Sequence, residues 1–100
     1  MAVTYKTIDG PNWQWAEDYV YAKATYVVAC PPGRTCQVGM GVFAFGKPLG
    51  EKLRFGGEDG MEITILGAGS LHFRVDDGGG PCRVGFAQKS NTPISWTWVY

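Results

Sequence analysis

The sequence predicts an all-β fold, an antiparallel β-sandwich or small barrel of about 7 to 9 short strands. Its 100 residues include 15 glycines and 6 prolines, which supply the dihedral angles of tight turns. Aromatic residues make up 14% of the chain and accompany many Val, Ile and Thr, the types that strands favour. Turn signals recur at regular intervals between short alternating runs. A chain of this length holds one core, so we expect a single domain over residues 1–100.

The first half of the chain contains two alternating segments. Residues 3–8 and 19–29 each place apolar side chains on one face, which predicts two strands. A helix is the alternative for the second segment, but its β-branched and aromatic residues favour a strand. Residues 11–15, between them, predict a turn or an irregular extended segment. Residues 37–45 are apolar on both faces, which predicts a central strand, and Gly39 there would let a ring or another backbone lie close against it.

The second half of the chain consists of short runs separated by turns, and the last run is residues 94–100. If each strand pairs with the next along the chain, Val75 lies opposite Cys82 and Phe55 opposite Met61, and the apolar residues of these strands point inward. Cys82 is then a free, buried thiol that packs as a small apolar side chain. The turns fall at residues 46–50, 56–60, 67–70, 76–81 and 89–93.

The same register predicts a row of charged residues on the outside of the sheet. Arg54, Arg74 and Arg83 share this row with a single acid, Glu62. Adjacent like charges are unfavourable, so the row needs a bound anion or a further acidic side chain, for which the acidic pair at residues 76–77 is placed. The three arginines are therefore a candidate anion-binding site. A solvated face with weak ion pairs is the alternative.

The cysteines and glycines carry no clear metal or cofactor motif. Cys30 and Cys36 bracket a short loop that a disulfide could close in an oxidising compartment, whereas two reduced thiols are expected in the cytosol. A zinc site of the three thiols and His72 fits in number only, since the short Cys–Cys spacing of such sites is missing. The glycine motif that starts at Gly39 lacks the following helix that a dinucleotide needs. We predict no metal and no cofactor.

The loop between Cys30 and Cys36 also carries Arg34 behind two prolines. A stiff loop with a protruding arginine could enter the specificity pocket of a trypsin-like protease as a pre-organised substrate mimic. Protease inhibition through Arg34 is therefore an alternative function. A plain hairpin end is the simpler interpretation.

Composition argues against several function classes. Nine Lys and Arg balance nine Asp and Glu, so no global field attracts nucleic acid. No apolar run reaches the roughly 20 residues of a membrane helix, so no membrane span is expected. His72 is the only histidine, and no Ser, Cys or Thr lies in a recognisable activated setting. We therefore predict no catalytic residues and no enzyme activity.

Four aromatic residues near the start of the chain are the best candidates for ligand binding. Trp13 and Trp15 lie in a segment without clean alternation, and Tyr19 and Tyr21 occupy the polar face of the following strand. Together they predict a flat platform that could stack a sugar ring or contact a protein partner. The alternative is that these rings cover the open end of the core.

We expect a different location for a second aromatic pair. Trp96 and Trp98 alternate with polar residues, which predicts that both fill the core. The sequence as a whole predicts a non-catalytic recognition module for a glycan or protein ligand, with an anion-binding or structural interaction domain as a further alternative. A secreted or cell-surface location is favoured over a cytoplasmic one, and the oligomeric state stays open.

Overall fold

The computed structural model describes residues 3–20, 24–57, 59–64 and 69–98, with the backbone alone described at 16–20 and 69. The regular secondary structure within these ranges consists of β-strands. The same ranges contain no helix that is long and apolar enough to cross a membrane. The strands are β1 (Thr4–Ile8), β2 (Gln14–Val20), β3 (Thr25–Ala29), β4 (Thr35–Gly41), β5 (Phe43–Ala44), β6 (Lys47–Pro48), β7 (Lys52–Gly56), β8 (Met61–Thr64), β9 (Gly69–Val75) and β10 (Cys82–Gln88).

Eight of these strands form two four-stranded antiparallel sheets. The first sheet has the order β1-β10-β3-β8, and the second has the order β2-β9-β4-β7. This is the strand order of a jelly roll, a double-sheet form of the β-sandwich. β5 and β6 form a separate hairpin inserted between β4 and β7. The predicted all-β antiparallel sandwich is confirmed.

The core lies between the two sheets. Phe73 of the second sheet is fully buried, and its ring centroid lies 5.8 Å from that of Phe55 in the same sheet and 5.5 Å from that of Phe86 in the first sheet. Every second side chain of a strand faces the opposite sheet, which is why the alternating residues meet here. The inward residues predicted for the second half of the chain are all buried or packed against the core: Leu53, Phe55, Met61, Ile63, Leu71, Phe73, Val75, Cys82, Val84 and Phe86.

The predicted pairing of neighbouring strands is wrong. Val75 pairs with Cys36, and Cys82 pairs with Ile8, because β9 lies in the second sheet and β10 in the first. Alternation specifies which side chains face inward, and it carries no information on which strand lies next to which. In this jelly roll β7 and β9 belong to the second sheet and β8 and β10 to the first, so consecutive strands of this half lie in different sheets.

The elements near residue 20 also differ from the expectation. Residues 19–29 do not form one strand, since β2 ends at Val20 in the second sheet and β3 begins at Thr25 in the first. Trp15 lies inside β2, where a turn or irregular segment was predicted. The β2–β9 pairing shifts register after Trp15 and again after Glu17. Such irregularities disturb the alternation from which a strand is recognised.

Trp96 and Trp98 lie outside the core, so the expectation that they fill it is wrong. Gly85 faces outward between two inward residues of β10, and a Cβ atom there would lie 2.8 Å from the Trp96 ring. Trp98 stacks on Trp96 at 5.9 Å, and Tyr5 meets Trp98 edge-on at 5.7 Å. The missing side chain of Gly85 thus lets this cluster cover the outer face of the first sheet.

Candidate functional site

The outer face of the second sheet carries exposed aromatic rings. Trp15 lies directly across from His72 in the β2–β9 ladder and is 47% exposed. His72 alternates with the inward residues Leu71 and Phe73, so it belongs to the outer face of the sandwich. Residues paired across an antiparallel ladder share a face. Trp15 therefore belongs to the outer face of the second sheet, and Nζ of Lys6, from β1 of the first sheet, lies 5.9 Å from its ring centroid.

The β5–β6 hairpin folds back onto this same face. A Cβ atom at Gly39 of β4 would overlap the Pro48 ring of β6, so the absence of that atom lets the hairpin approach the sheet. The amide of Gly50 donates to the carbonyl of Met40 at 2.9 Å, which ties the end of the hairpin to β4. The close approach predicted for Gly39 is confirmed.

Phe43 of the hairpin stacks on His72. Their ring centroids lie 4.4 Å apart with an interplanar angle of 12°. His72 is buried beneath this contact, and burial lowers the pKa of its imidazole, which is therefore neutral at neutral pH. Phe43 remains 42% exposed. Phe43 thus stacks on His72, and Trp15 is the neighbour of His72 across the β2–β9 ladder. We call the three residues Trp15, Phe43 and His72 the aromatic surface.

The turn of the hairpin presents a phenyl ring to solvent. Phe45 and Gly46 connect β5 to β6 with φ angles of 55° and 75°. Two positive φ angles define a type I′ turn, in which Asn, Asp and Gly are favoured. Phe45 adopts this disfavoured conformation and is 92% exposed. The turn therefore presents an apolar ring to solvent. Val42 and Leu49, which flank the hairpin strands, are exposed as well, and we call Val42, Phe45 and Leu49 the apolar hairpin.

Trp13 lies beside the aromatic surface and is partly covered. Its ring would lie 3.1 Å from a Cβ atom at Gly39, and the guanidinium carbon of Arg74 stands 5.2 Å from its centroid. Arg74 in turn donates from Nε to Oε1 of Gln37 at 2.6 Å. Trp13 therefore supports the outer face of the sheet but is less available for stacking than Trp15.

Arg54 and Arg74 are brought together on this face. Both pair with Gln37 across the β7–β4 and β4–β9 ladders. Asp76 lies 2.5 Å from Nε of Arg54 and 3.9 Å from Nη2 of Arg74. The acid that the sequence required near these arginines is therefore present.

Arg83 lies apart from them, so the single row of three arginines is wrong. It belongs to β10 in the first sheet, where its guanidinium carbon stands 4.3 Å from the Tyr5 ring. Glu62 lies in the same sheet and pairs with Lys89 at 2.5 Å. The row divides because β7 and β9 lie in one sheet and β8 and β10 in the other.

Arg34 is held by the chain and does not protrude, contrary to the expectation for an inhibitory loop. Its Nε and Nη2 atoms donate to the carboxylate of Asp77 at 2.8 and 3.2 Å. Its Nη1 and Nη2 atoms also donate to the carbonyls of Pro81 at 3.1 Å and Gly80 at 2.6 Å. A protease pocket would have to break all four hydrogen bonds. The arginine instead joins the β3–β4 and β9–β10 turns.

The Arg34–Asp77 pair predicts a loss of stability in acid. Hydrogen bonds from Arg34 and from the amide of Thr35 hold the pKa of the Asp77 carboxyl well below its ordinary value of 3.8. A carboxyl with a depressed folded-state pKa stabilises the fold above its unfolded-state pKa of about 3.9, and that contribution is lost as the pH falls below it. In urea titrations we expect the free energy of unfolding to fall as the pH is lowered from about 5 to 2.

The matched variants of this experiment are Asp77→Asn and Asp59→Asn. Asp77→Asn should be less stable than the wild type at pH 6 and should show a flatter acid dependence, because the titrating group is gone. Asp59 is exposed and forms no ion pair within the described part of the chain, so Asp59→Asn should keep the wild-type slope. Equal slopes for Asp77→Asn and the wild type would contradict the assignment.

The remaining predicted site residues give no further site. The Tyr19 side chain and all of Tyr21 lie outside the described residues, so the four-ring platform is represented by Trp13 and Trp15. Cys30 and Cys36 are free thiols. Among residues 3–20, 24–57, 59–64 and 69–98, no group of His, Cys, Asp and Glu side chains is arranged to hold a metal ion.

No protein-family model matches the chain, and no curated protein matches it significantly. The function must therefore be judged from the geometry of the surface.

Sequence reasoning did not find Phe43, Phe45 or the role of His72. The available signal was the glycine that follows Phe45 and precedes Lys47, since an x-Gly dipeptide between two short runs is typical of a hairpin turn. That signal did not reveal where the hairpin packs. The stack of Phe43 on His72 joins residues that are distant in the sequence and meet only in the folded sandwich.

Proposed function

We propose that this chain is a non-catalytic recognition module that binds a carbohydrate on the outer face of its second sheet. The observation that carries the proposal is the pair of half-exposed rings, Trp15 and Phe43, adjoining the buried His72. The C–H face of a sugar ring is apolar and stacks on such rings. An aromatic contact contributes about 0.5–1.5 kcal/mol beyond the burial of its area.

Polar groups next to the rings support this ligand class. Gln37, Arg54 and Arg74 project from the same sheet face, and Asp76 adds a carboxylate. Sugar hydroxyl groups need donors and acceptors at the rim of an apolar platform, as small-molecule sites generally do. The side chains hold one another through Arg74–Gln37 and Arg54–Asp76 contacts. This order reduces the entropy that ligand binding would otherwise cost.

A protein ligand is the second candidate, and the apolar hairpin is the observation that favours it. Phe45 is almost completely exposed, and the neighbouring Val42 and Leu49 are aliphatic and exposed. Contiguous exposed apolar residues are typical of protein interaction sites. A sugar would gain little from aliphatic side chains, whereas an apolar protein pocket would bury the Phe45 ring.

A glycan array with the wild type and two variants tests the first candidate. Trp15→Ala and Phe43→Ala should each weaken carbohydrate binding about tenfold or more, because losing about 1.4 kcal/mol of contact energy lowers the affinity tenfold. Titration calorimetry with the best array ligand would give the dissociation constants.

Phe45→Ala is the matched control, since it removes an exposed phenyl ring of the same hairpin that does not stack on His72. It should leave carbohydrate affinity unchanged. Absence of binding to every glycan, or full binding by Trp15→Ala and Phe43→Ala, would overturn the carbohydrate proposal. Loss of binding in Phe45→Ala alone would favour the protein ligand.

A further inference from the structure

Three thiols meet at one end of the sandwich, away from the aromatic surface. Cys30 follows β3, Cys36 lies in β4 and Cys82 begins β10, so both sheets contribute. All three are free and belong to the same core cluster. Cys36 neighbours both Cys30 and Cys82, whose thiols donate to the carbonyls of Arg34 at 3.2 Å and Arg83 at 3.9 Å. A disulfide between two of these thiols requires Cβ atoms about 3.5–4.5 Å apart.

The thiols differ in their environments, and their pKa values therefore shift in different directions. Contacts with Cys30 and Cys82, together with burial, raise the pKa of Cys36 and keep it protonated. The contact with Cys36 lowers the pKa of Cys82 against the effect of burial, while the charges of Arg34 and Asp77 act on it in opposite directions. Because the thiolate is the nucleophile in disulfide chemistry, Cys82 is better prepared than Cys36 to attack first.

A surface cavity adjoins Cys82 and adjoins neither of the other two cysteines. It has a volume of about 570 Å³, and Cys82, Arg34 and Arg83 are among its lining residues. Cys82 is 3% exposed, whereas Cys30 and Cys36 are fully buried. The remaining walls are formed by Thr7, Pro31, Pro32 and Pro81.

The charge of the cavity indicates the kind of molecule that would enter it. Arg34 is neutralised by Asp77. Arg83 stacks on Tyr5 and forms no ion pair with any side chain in the described ranges. An uncompensated guanidinium beside a thiol favours a ligand that carries carboxylate groups.

We propose that Cys82, Cys36 and the cavity form a thiol–disulfide exchange site for a small disulfide that bears carboxylates. The Cys82 thiolate attacks one sulfur of the disulfide RSSR, the S–S bond breaks, and RS⁻ leaves and takes up the proton that Cys82 released. The Cys36 sulfur then attacks Cys82 in the mixed disulfide and forms the Cys36–Cys82 bond. The second RS⁻ leaves with the Cys36 proton. Two protein thiols are oxidised to one disulfide, and one RSSR is reduced to two RSH.

Oxidised glutathione is the probe that tests this reaction, with intact-mass spectrometry of the folded chain as the measurement. The wild type should lose the mass of two hydrogen atoms without accumulating an adduct, and peptide mapping should give a Cys36–Cys82 bond. Cys36→Ser should accumulate one glutathione adduct at Cys82, because the second step is removed. Cys82→Ser should react at least about tenfold more slowly, because the remaining thiols do not reach the cavity.

Two further variants separate this site from nonspecific thiol oxidation. Cys30→Ser should still form the Cys36–Cys82 bond. Arg83→Gln should react about tenfold more slowly with oxidised glutathione and at the wild-type rate with the uncharged bis(2-hydroxyethyl) disulfide. Circular dichroism would establish that each variant is folded.

If a variant does not fold, an experiment on the wild type alone still tests the proposed exchange site. A brief reaction quenched with acid should place the first glutathione on Cys82. A first adduct on Cys30 or Cys36, or no reaction while the urea-unfolded chain reacts fully, would overturn the proposal.

Discussion

Phe73→Ala is expected to lower the free energy of unfolding by about 3–5 kcal/mol. Phe73 is fully buried and its ring contacts rings of both sheets. Removing it takes away buried apolar area and leaves a cavity that neither sheet can fill without moving relative to the other. Domains of this size are stable by about 5–15 kcal/mol, so the variant would lie near the limit of folding.

Urea denaturation followed by tryptophan fluorescence is the measurement for Phe73→Ala. Val42→Ala is the matched control, because Val42 is 65% exposed and exposed substitutions change stability by about 0.5 kcal/mol or less. If Phe73→Ala lowered the free energy of unfolding by less than about 1 kcal/mol, the two sheets would not share the core described above.

Gly39→Ala is expected to destabilise the protein by about 1–3 kcal/mol and to disturb the aromatic surface. The new Cβ atom would overlap the Pro48 ring and lie 3.1 Å from Trp13. A proline ring is rigid, so the hairpin would have to move away from β4. That movement would separate Phe43 from His72, and we expect weaker carbohydrate binding together with the lower stability.

Gly10→Ala is the control for this substitution, since a Cβ atom at Gly10 meets nothing within 4 Å. Acrylamide quenching would report the result, because lifting the hairpin should expose Trp13 and raise the accessible tryptophan fraction above that of the wild type and of Gly10→Ala. If Gly39→Ala showed the same quenching and the same stability as the wild type, the close packing of the hairpin on the sheet would be disproved.

The local chemistry of the chain was enough to predict much of the fold. Strand β1, the central position of β4 and the inward side chains from Leu53 to Phe86 all follow from period-two alternation. The buried free thiol of Cys82 follows from the same pattern. These features depend on the side chain and its near neighbours in the sequence, so they can be read from a short window.

The candidate site could be predicted only in part. Trp15 was identified because it departs from the surrounding alternation, and its exposure on the sheet is consistent with the predicted platform. Phe43 and His72 were not identified, because their contact depends on the hairpin folding back over β4. The three arginines were grouped by a strand pairing that the jelly roll does not contain, and Arg34 was taken as free because its partner Asp77 is 43 residues away in the sequence.

The sequence by itself determined that the chain is β-rich, where many of its turns lie and which side chains of Leu53 to Phe86 enter the core, because steric preferences and burial act over a few residues. Only the tertiary structure decided which strands pair, on which face the charged and aromatic groups meet, and that three thiols share one end of the sandwich. A crossover between sheets changes the neighbours of a strand without changing its alternation. For that reason, the same pattern of polar and apolar residues is compatible with several topologies.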